Sequence, residues 1–181
     1  MRRLDLNEIT RTVKELLIDA CCDLDDCVLN RIREAASKEE NPLGQSVLKQ
    51  ILENDLIARK ERLPMCQDTG LTVVFLEIGS EIVIVGDLEA AVNEGIRQGS
   101  SEGYLRKSVV DHPLSRNNTK DNTPGIIHTR ITSGHSVKIT VAPKGGGSEN
   151  VSLVRMLTPA EGEEGIKKLV LNTVLEAGGK P

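Results

Sequence analysis

The sequence is short of aromatic residues. Its 181 residues include no Trp, and Tyr104 and Phe75 are the only Tyr and Phe. A hydrophobic core must therefore be built from Val, Ile, Leu and Ala. The shortage also argues against a protein that stacks single-stranded nucleic acid bases on aromatic rings. Hydrophobic residues make up 38% of the chain, which is enough to form one globular domain over residues 1–181.

A basic stripe and a long apolar run are also missing. The formal net charge is −4 and no segment concentrates Lys and Arg, so the sequence does not suggest a nucleic-acid partner. No apolar run approaches the roughly 20 residues that span a bilayer, and the polar start of the chain is unlike a signal peptide. We therefore expect a cytoplasmic protein whose partners are small molecules or proteins, with no nucleic acid and no membrane among them.

The cysteines do not form the pattern of a disulfide framework. There are four, and Cys21 and Cys22 are adjacent in a chain of ordinary core-forming composition. Cys22 and Cys27 have the gap of one ferredoxin spacing, but the third cysteine at the required short interval is missing. We interpret these three as small side chains packed on or near helices, which leaves Cys66.

Hydrophobic periodicity predicts a helical first third of the chain. Apolar residues recur at steps of three and four behind Asp5, again from near Asp26, and a third time over residues 47–57. Asp87 is typical of the N-cap of a further helix that frays near Gly99. A last helix is predicted from about residue 159 to 177, with Pro near its start and Gly past its end.

Between these helices the pattern changes to that of strands. Residues 71–78 and 81–85 flank Gly79-Ser80, and residues 126–132 and 137–142 flank another turn, which favours two antiparallel hairpins. The expected fold class is α+β, with an N-terminal helical region followed by antiparallel β-hairpins with packed helices.

Residues 64–70, with the sequence PMCQDTG, are the first candidate site. Cys66 lies in this polar loop beside a carboxylate and an amide, which is typical of a metal ligand or a nucleophile. An isolated cysteine without a nearby His is as often incidental. Asp68 alone is more typical of a turn or a cap.

Residues 144–150, with the sequence KGGGSEN, are the second candidate. Glycines let backbone N–H groups approach an anion, and the Ser and Asn side chains add polar groups. The run matches neither the Walker loop nor the dinucleotide pattern. A carboxylate or phosphate site and a flexible turn both remain open.

The long polar connection over residues 102–125 is the third candidate, because connections of this length are usually functional or mobile. Its residues Arg106 and Arg116 could each hold a carboxylate through two hydrogen bonds. The histidines share no metal-ligand spacing and are interpreted as structural; they are His112, His128 and His135.

Three segments in order, residues 64–70, 104–106 (YLR) and 144–150, resemble the alpha portion of class I fumarases and L-tartrate dehydratases. The resemblance covers nearly the whole chain. In that family three cysteines hold a [4Fe–4S] cluster, and its open iron acts as a Lewis acid on a C4 dicarboxylate. The resemblance therefore implies a hydro-lyase for the reversible hydration of fumarate to malate, with L-tartrate dehydratase as the alternative.

The resemblance also implies roles for individual residues. Cys66 would be the first cluster ligand, and Asp68 would assist proton transfer. The residues implied to surround the substrate are Gln67, Asp68, Arg106, Gly145, Ser148, Glu149 and Asn150.

One departure from the family pattern concerns the cluster. Family members continue past a Lys-Pro like Lys180-Pro181 into Cys-Pro-Pro, which supplies the second ligand, so the chain is expected to be truncated at its C-terminus. The implied partners are a beta subunit or C-terminal domain, within a homo-oligomer. The chain alone is expected to be colourless and inactive. A module of another class, which binds a dicarboxylate or assists assembly without a cluster, is the remaining alternative.

Overall fold

The computed structural model describes residues 2–179, except for the side chains of Ser148 and Glu149. The chain divides into two compact units: the first ends at Lys144 and the second begins at Gly145. The interpretation as one domain stays a prediction. Over the described residues, no helix combines the length and the apolar character that crossing a membrane requires.

The first unit contains four helices and five strands among its described residues, in the order β1 (Arg2–Arg3), α1 (Leu6–Cys22), α2 (Asp26–Lys38), α3 (Pro42–Glu61), β2 (Leu71–Gly79), β3 (Ile82–Val83), α4 (Leu88–Glu102), β4 (Ile126–Thr132) and β5 (Val137–Lys144). In the second unit, 3₁₀ turns at Gly147–Val151 and Pro159–Glu161 precede α5 (Gly162–Ala177). The α+β class is confirmed.

Helices α1 and α4 begin where the sequence predicts, because short polar side chains satisfy their first N–H groups. Helix α5 begins at Gly162, after the 3₁₀ turn that occupies its predicted start at residue 159. Asp5 accepts from the Asn7 N–H at the start of α1. Asp87 accepts from the Ala90 N–H at 2.9 Å at the start of α4. The predicted fraying near Gly99 is wrong: α4 continues to Glu102. Gly99 lies against α1, where an added Cβ would stand 3.1 Å from a methyl carbon of Leu17.

Both predicted hairpins are wrong. The strand β2 lies between β4 and β5, parallel to β4 and antiparallel to β5, so the two strands joined by residues 133–136 are not neighbours. Their loop passes the end of β2, where the Gly79 N–H donates to the Ser136 carbonyl at 2.8 Å. Two strand spacings amount to roughly 10 Å, a distance that four residues can span. The short β3 pairs with β1 in parallel instead of with β2.

Burial explains this sheet order. The central strand β2 places Val74, Leu76 and Ile78 on the face that α1 and α4 cover, and all three are buried. A central position pairs both edges of this most apolar strand, whereas a β4–β5 hairpin would leave it at an edge. Sequence patterns report the turn between two strands but not a third strand inserted between them.

The core is aliphatic, as the composition predicts. It joins α1, β2 and α4 through Ile9, Val13, Leu17, Val74, Leu76, Ile78, Val92 and Ile96. Phe75 is 45% exposed on the opposite face of the sheet, where its ring stacks on His128 at 5.2 Å. Cys21 and Cys22 are buried as predicted, but Cys27 is exposed, because it lies in the first turn of α2 on its solvent side.

Candidate functional site

Two hydrogen bonds to the backbone of Met65, the residue before Cys66, hold the loop that carries the thiol. The Met65 N–H donates to the Cys21 carbonyl at the end of α1, at 2.9 Å. The Asn54 Nδ2 of α3 donates to the Met65 carbonyl at 2.7 Å. The chain enters this loop from Arg62, whose guanidinium pairs with Asp19 of α1. The polar loop is therefore attached to two helices although it has no regular structure of its own.

Cys66 is exposed and lines an open pocket of about 410 Å³. The Asp68 N–H donates to its Sγ at 3.4 Å, a contact that orients the thiol. The residues that line the pocket are Pro64, Cys66, Gln67, Thr69, Tyr104 and Arg106. The structure thus brings two of the three predicted segments, the Cys66 loop and the Tyr104–Arg106 segment, to one pocket.

The opposite wall of the pocket follows the end of α4. Leu105 is 5% exposed and belongs to the core, so it anchors the segment. Tyr104 on one side has a left-handed φ of 55° and is 76% exposed, and Arg106 on the other side is also exposed. One buried leucine therefore leaves its two neighbours at the surface beside Cys66.

Thr69 joins the two walls. Its side chain is 7% exposed, and its Oγ1 donates to the Arg106 carbonyl at 3.1 Å. Gly70 follows with a φ of +53° and leads into β2, a conformation that glycine adopts without strain. The hydrogen bond fixes the backbone of the arginine relative to the loop that carries the thiol.

This lining suits a carboxylate beside a soft metal. The Arg106 guanidinium can bind a carboxylate through two parallel hydrogen bonds, and the Gln67 amide can donate another. A thiolate is the protein ligand that iron–sulfur clusters use. Among the described residues, however, no group of three His, Cys, Asp or Glu is arranged to hold a metal. The pocket wall therefore fits one ligand of a cluster and not a complete set.

The other cysteines do not complete the set. Burial raises the pKa of Cys21 to about 12, because a thiolate is poorly solvated there, and the neighbouring Cys22 adds to the rise. Burial also raises the pKa of Cys22, against a lowering effect from Arg62. Burial thus disfavours the thiolate form of both residues, which is the form that binds a metal.

Asp68 and Arg116, the remaining predicted residues of the first unit, do not line this pocket. Asp68 is half-buried and follows Gln67 in the same loop, but it does not line the pocket. Arg116 is exposed, lies outside the lining and takes part in a turn through its N–H bond to the His112 carbonyl at 2.8 Å. Asp68 stays a prediction as a site residue, and the first unit offers no geometric support for Arg116.

The glycine run belongs to the second unit. Gly145 is half-buried, and Asn150 is exposed and lines a small pocket of about 190 Å³ within that unit. The side chains of Ser148 and Glu149 lie outside the described part of the chain, as do Lys180 and Pro181. The predicted substrate-binding roles of Gly145, Ser148, Glu149 and Asn150 stay predictions.

Sequence reasoning did not assign a role to two buried polar residues: Thr69, which lines the pocket, and Asn122, which does not. Thr69 and Asn122 are 7% and 2% exposed, and both donate a side-chain hydrogen bond to the Arg106 carbonyl. The signal that could have found Asn122 is its place in the turn-rich segment 120–125, where Asn tolerates a left-handed backbone. The hydrogen bonds themselves connect residues 16 positions or more apart, which no local pattern reports.

Comparison with known proteins gives a consistent family. The family model described as fumarate hydratase (Fumerase) matches residues 10–181. A protein of Methanocaldococcus jannaschii, provisionally named L(+)-tartrate dehydratase subunit alpha, is 41% identical over 182 aligned residues that cover 96% of this chain and 63% of that protein. The L(+)-tartrate dehydratase subunit alpha of Escherichia coli K12 is 24% identical, over 93% of this chain and 57% of its own length.

The chain thus spans about three fifths of the length of these curated relatives. The match nevertheless includes all three of the segments on which the resemblance rests, from the Cys66 loop to the glycine run. On this evidence the chain belongs to the fumarate hydratase (Fumerase) family.

Proposed function

We propose that this chain supplies the alpha portion of the active site of a hydro-lyase that reversibly hydrates fumarate to malate. The observation that carries the proposal is the shared pocket: Cys66, Gln67 and Arg106 line one cavity, and Thr69 ties the two walls together. A thiol and a guanidinium held at fixed places suit a metal-assisted reaction of an anionic substrate.

Each residue has a proposed role in this site. Arg106 binds one substrate carboxylate bidentately, and Gln67 donates a hydrogen bond to the substrate. Asp68 assists the transfer of the proton that is gained or lost at the carbon next to the hydroxyl-bearing one. Cys66 is one ligand of a [4Fe–4S] cluster, which when bound supplies a Lewis acid for the substrate hydroxyl. Gly145 and the Ser148, Glu149 and Asn150 stretch stay proposed substrate-binding residues.

The proposal requires a partner. Cys66 is a single ligand, so the remaining thiolates and catalytic groups must come from a beta subunit or a C-terminal portion. The relatives named above are alpha subunits by name, which supports a two-part enzyme. We further propose that the assembled enzyme is a cytoplasmic homo-oligomer of such pairs.

A second candidate reaction is the dehydration of L-tartrate. The names of both relatives favour it, whereas the description of the family model favours fumarate. Both substrates are C4 dicarboxylates, and the Arg106 pocket does not distinguish one hydroxyl from two. Parallel initial-rate assays on fumarate, malate and L-tartrate decide between them. Binding of these anions without turnover of any of them would favour the non-catalytic module.

The site assignment is tested with the two exposed cysteines, Cys66 and Cys27. The chain is co-expressed with a candidate beta subunit, the cluster is reconstituted anaerobically, and iron, sulfide and activity are measured. Cys66→Ser is expected to lose bound iron and at least about 100-fold in activity, because a missing ligand destabilises the cluster. The matched variant Cys27→Ser should retain both. Equal iron content and activity in the two variants would refute the assignment.

A further inference from the structure

We propose that Asn122 is a positioning residue for Arg106: its buried side-chain amide sets the backbone from which the guanidinium enters the pocket. The inference rests on the proposed function, in which Arg106 binds a substrate carboxylate. Asn122 lies 16 residues further along the chain and does not line the pocket itself. It acts through the segment of residues 106–109 that follows the pocket wall.

This segment has polar backbone groups and no regular structure to pair them. Residues 105–109 belong to no helix or strand. Backbone groups that are removed from water must find partners, because an unmade hydrogen bond destabilises the fold. Here one side chain, that of Asn122, pairs with three of these groups: the Arg106 carbonyl and the N–H groups of Ser108 and Val109.

The Asn122 amide uses both of its ends. Its Oδ1 accepts from the Ser108 N–H at 2.7 Å and from the Val109 N–H at 3.3 Å. Its Nδ2 donates to the Arg106 carbonyl at 2.9 Å and to the Ser100 Oγ at 3.3 Å. Two donated and two accepted hydrogen bonds are the full capacity of an asparagine side chain. The amide therefore fixes both backbone peptide groups that flank Lys107.

The placement of Asn122 is itself specified. Its φ of 63° is left-handed, a conformation that Asn tolerates better than most residues. The next residue closes the turn, because the Thr123 N–H and Oγ1 both donate to the Asp121 Oδ1, at 3.0 and 2.8 Å. With an exposure of 2%, the amide cannot exchange these partners for water.

The Arg106 carbonyl is the point where the network meets the loop of Cys66. It accepts from Thr69 at 3.1 Å on one side and from Asn122 at 2.9 Å on the other. Asn122 therefore holds the arginine against a threonine of the Cys66 loop. Loss of the Asn122 amide removes one support of the arginine backbone, while Met65, the neighbour of Cys66, keeps its backbone bonds to Cys21 and Asn54.

The first test measures the backbone directly in this chain. Asn122→Gly removes the amide and keeps the left-handed φ unstrained, so amide hydrogen exchange at Ser108 and Val109 should accelerate roughly tenfold or more. The matched variant is Asn118→Ala, since Asn118 is exposed and donates to the Lys107 carbonyl at 2.8 Å in the same segment. Water can replace that bond, so exchange should stay unchanged. Unchanged exchange in Asn122→Gly overturns the inference.

The second test uses the complete enzyme with its beta partner. Asn122→Asp keeps the acceptor oxygen Oδ1 but replaces the donor Nδ2 with a carboxylate oxygen that faces the Arg106 carbonyl. The KM for the dicarboxylate should therefore rise roughly tenfold, with a smaller change in kcat. When Arg106→Ala is already present, adding Asn122→Asp should raise KM by less than about twofold. The reason is that the two substitutions remove the same interaction with the substrate. Additive effects would indicate a merely structural role and overturn the inference.

The kinetic and exchange results separate two failures. If Arg106→Ala leaves KM unchanged, the proposed carboxylate role fails, and the inference falls with it even when exchange accelerates. If Arg106→Ala raises KM but Asn122→Asp does not, the proposed function stands and the inference alone is refuted.

Discussion

Helices α1 and α4 of the first unit differ from helix α5 of the second in how much apolar surface they bury. In the first unit, α1 and α4 bury whole side chains against the sheet, with Val13, Leu17 and Ile96 fully enclosed. In the second unit, none of the described residues of α5 is buried. Five large apolar side chains of that helix are each more than half exposed, namely Ile166, Val170, Leu171, Val174 and Leu175.

Burial of apolar side chains stabilises α1 and α4 against the sheet. A helix that buries little apolar area, such as α5, depends more on its own hydrogen bonds and helix propensity. The pocket of Cys66 belongs to the first kind: its walls are attached to the core through Leu105, Thr69 and Asn122.

The largest expected difference concerns truncation of one aliphatic side chain in each unit. Ile96→Ala should lower the free energy of unfolding by about 3 kcal/mol, because a buried isoleucine loses its packing and leaves a cavity. Val170→Ala, at a residue 56% exposed, should change it by less than about 0.5 kcal/mol. Urea denaturation followed by circular dichroism measures both. Similar losses in the two variants would show that α5 is buried as deeply as the core.

A second prediction adds a methyl group in each unit. An added Cβ at Gly95 would lie 2.6 Å from the Thr10 carbonyl oxygen and 2.8 Å from the Val13 Cβ, so α1 and α4 must separate. Gly95→Ala should therefore cost about 1–3 kcal/mol of unfolding free energy in urea. Gly179→Ala is the matched variant, because nothing lies within 4 Å of its added Cβ. A neutral Gly95→Ala would contradict the close packing of the two helices.

The sequence predicts local features of this fold well. The helix starts at Asp5 and Asp87 follow from the chemistry of N-caps, and the aliphatic core follows from the scarcity of aromatic residues. The period of apolar residues also identifies β2, β4 and β5 as strands. Each of these signals is contained within a few neighbouring residues.

Features that depend on distant residues are not predictable in this way. The turn after β4 suggests a hairpin, yet β2 occupies the space between β4 and β5, because its buried face requires neighbours on both sides. The same holds for the site. The motif identifies Cys66, but the bonds from Thr69 and Asn122 to the Arg106 carbonyl arise only once the chain is folded.

A smaller effect is expected at the 3₁₀ turn Pro159–Glu161, which precedes α5. The Glu161 carboxylate accepts from the Thr158 N–H at 2.6 Å, and bonds from the Thr158 backbone and side chain lower the pKa of Glu161. These bonds cap the 3₁₀ turn Pro159–Glu161 that precedes α5. They stabilise the turn above the ordinary pKa of a glutamate, and their contribution is lost as the pH falls through the lowered value. Glu161→Gln should raise amide exchange at Thr158 at pH 7 and leave α4 unchanged. Faster exchange in α4 as well would show that the two units are not stabilised separately.

The smallest expected effect concerns an ion pair on the exposed side of α4. The Glu94 carboxylate accepts from the Arg97 Nε at 2.7 Å and the Gln98 Nε2 at 2.6 Å, and these bonds lower the pKa of Glu94 from 4.5 to about 2. A lowered pKa adds stability above pH 4.5, and the contribution disappears as the pH falls towards 2. NMR titration of the side chain should give a pKa below 4.5, with a shift reduced by solvent screening of this exposed pair.

Because the Glu94 pair is exposed, its contribution to the free energy of unfolding should not exceed about 0.5 kcal/mol. Glu94→Gln should therefore lower the urea midpoint slightly at pH 7 and leave it equal to that of the unmodified chain near pH 2. Glu164→Gln, which removes a bond to Lys167 in α5, is the matched variant and should leave the midpoint of the first unit unchanged. A Glu94 that titrates near 4.5 would mean that the side chains of α4 are free in solution, and that α4 is stabilised by its buried face alone.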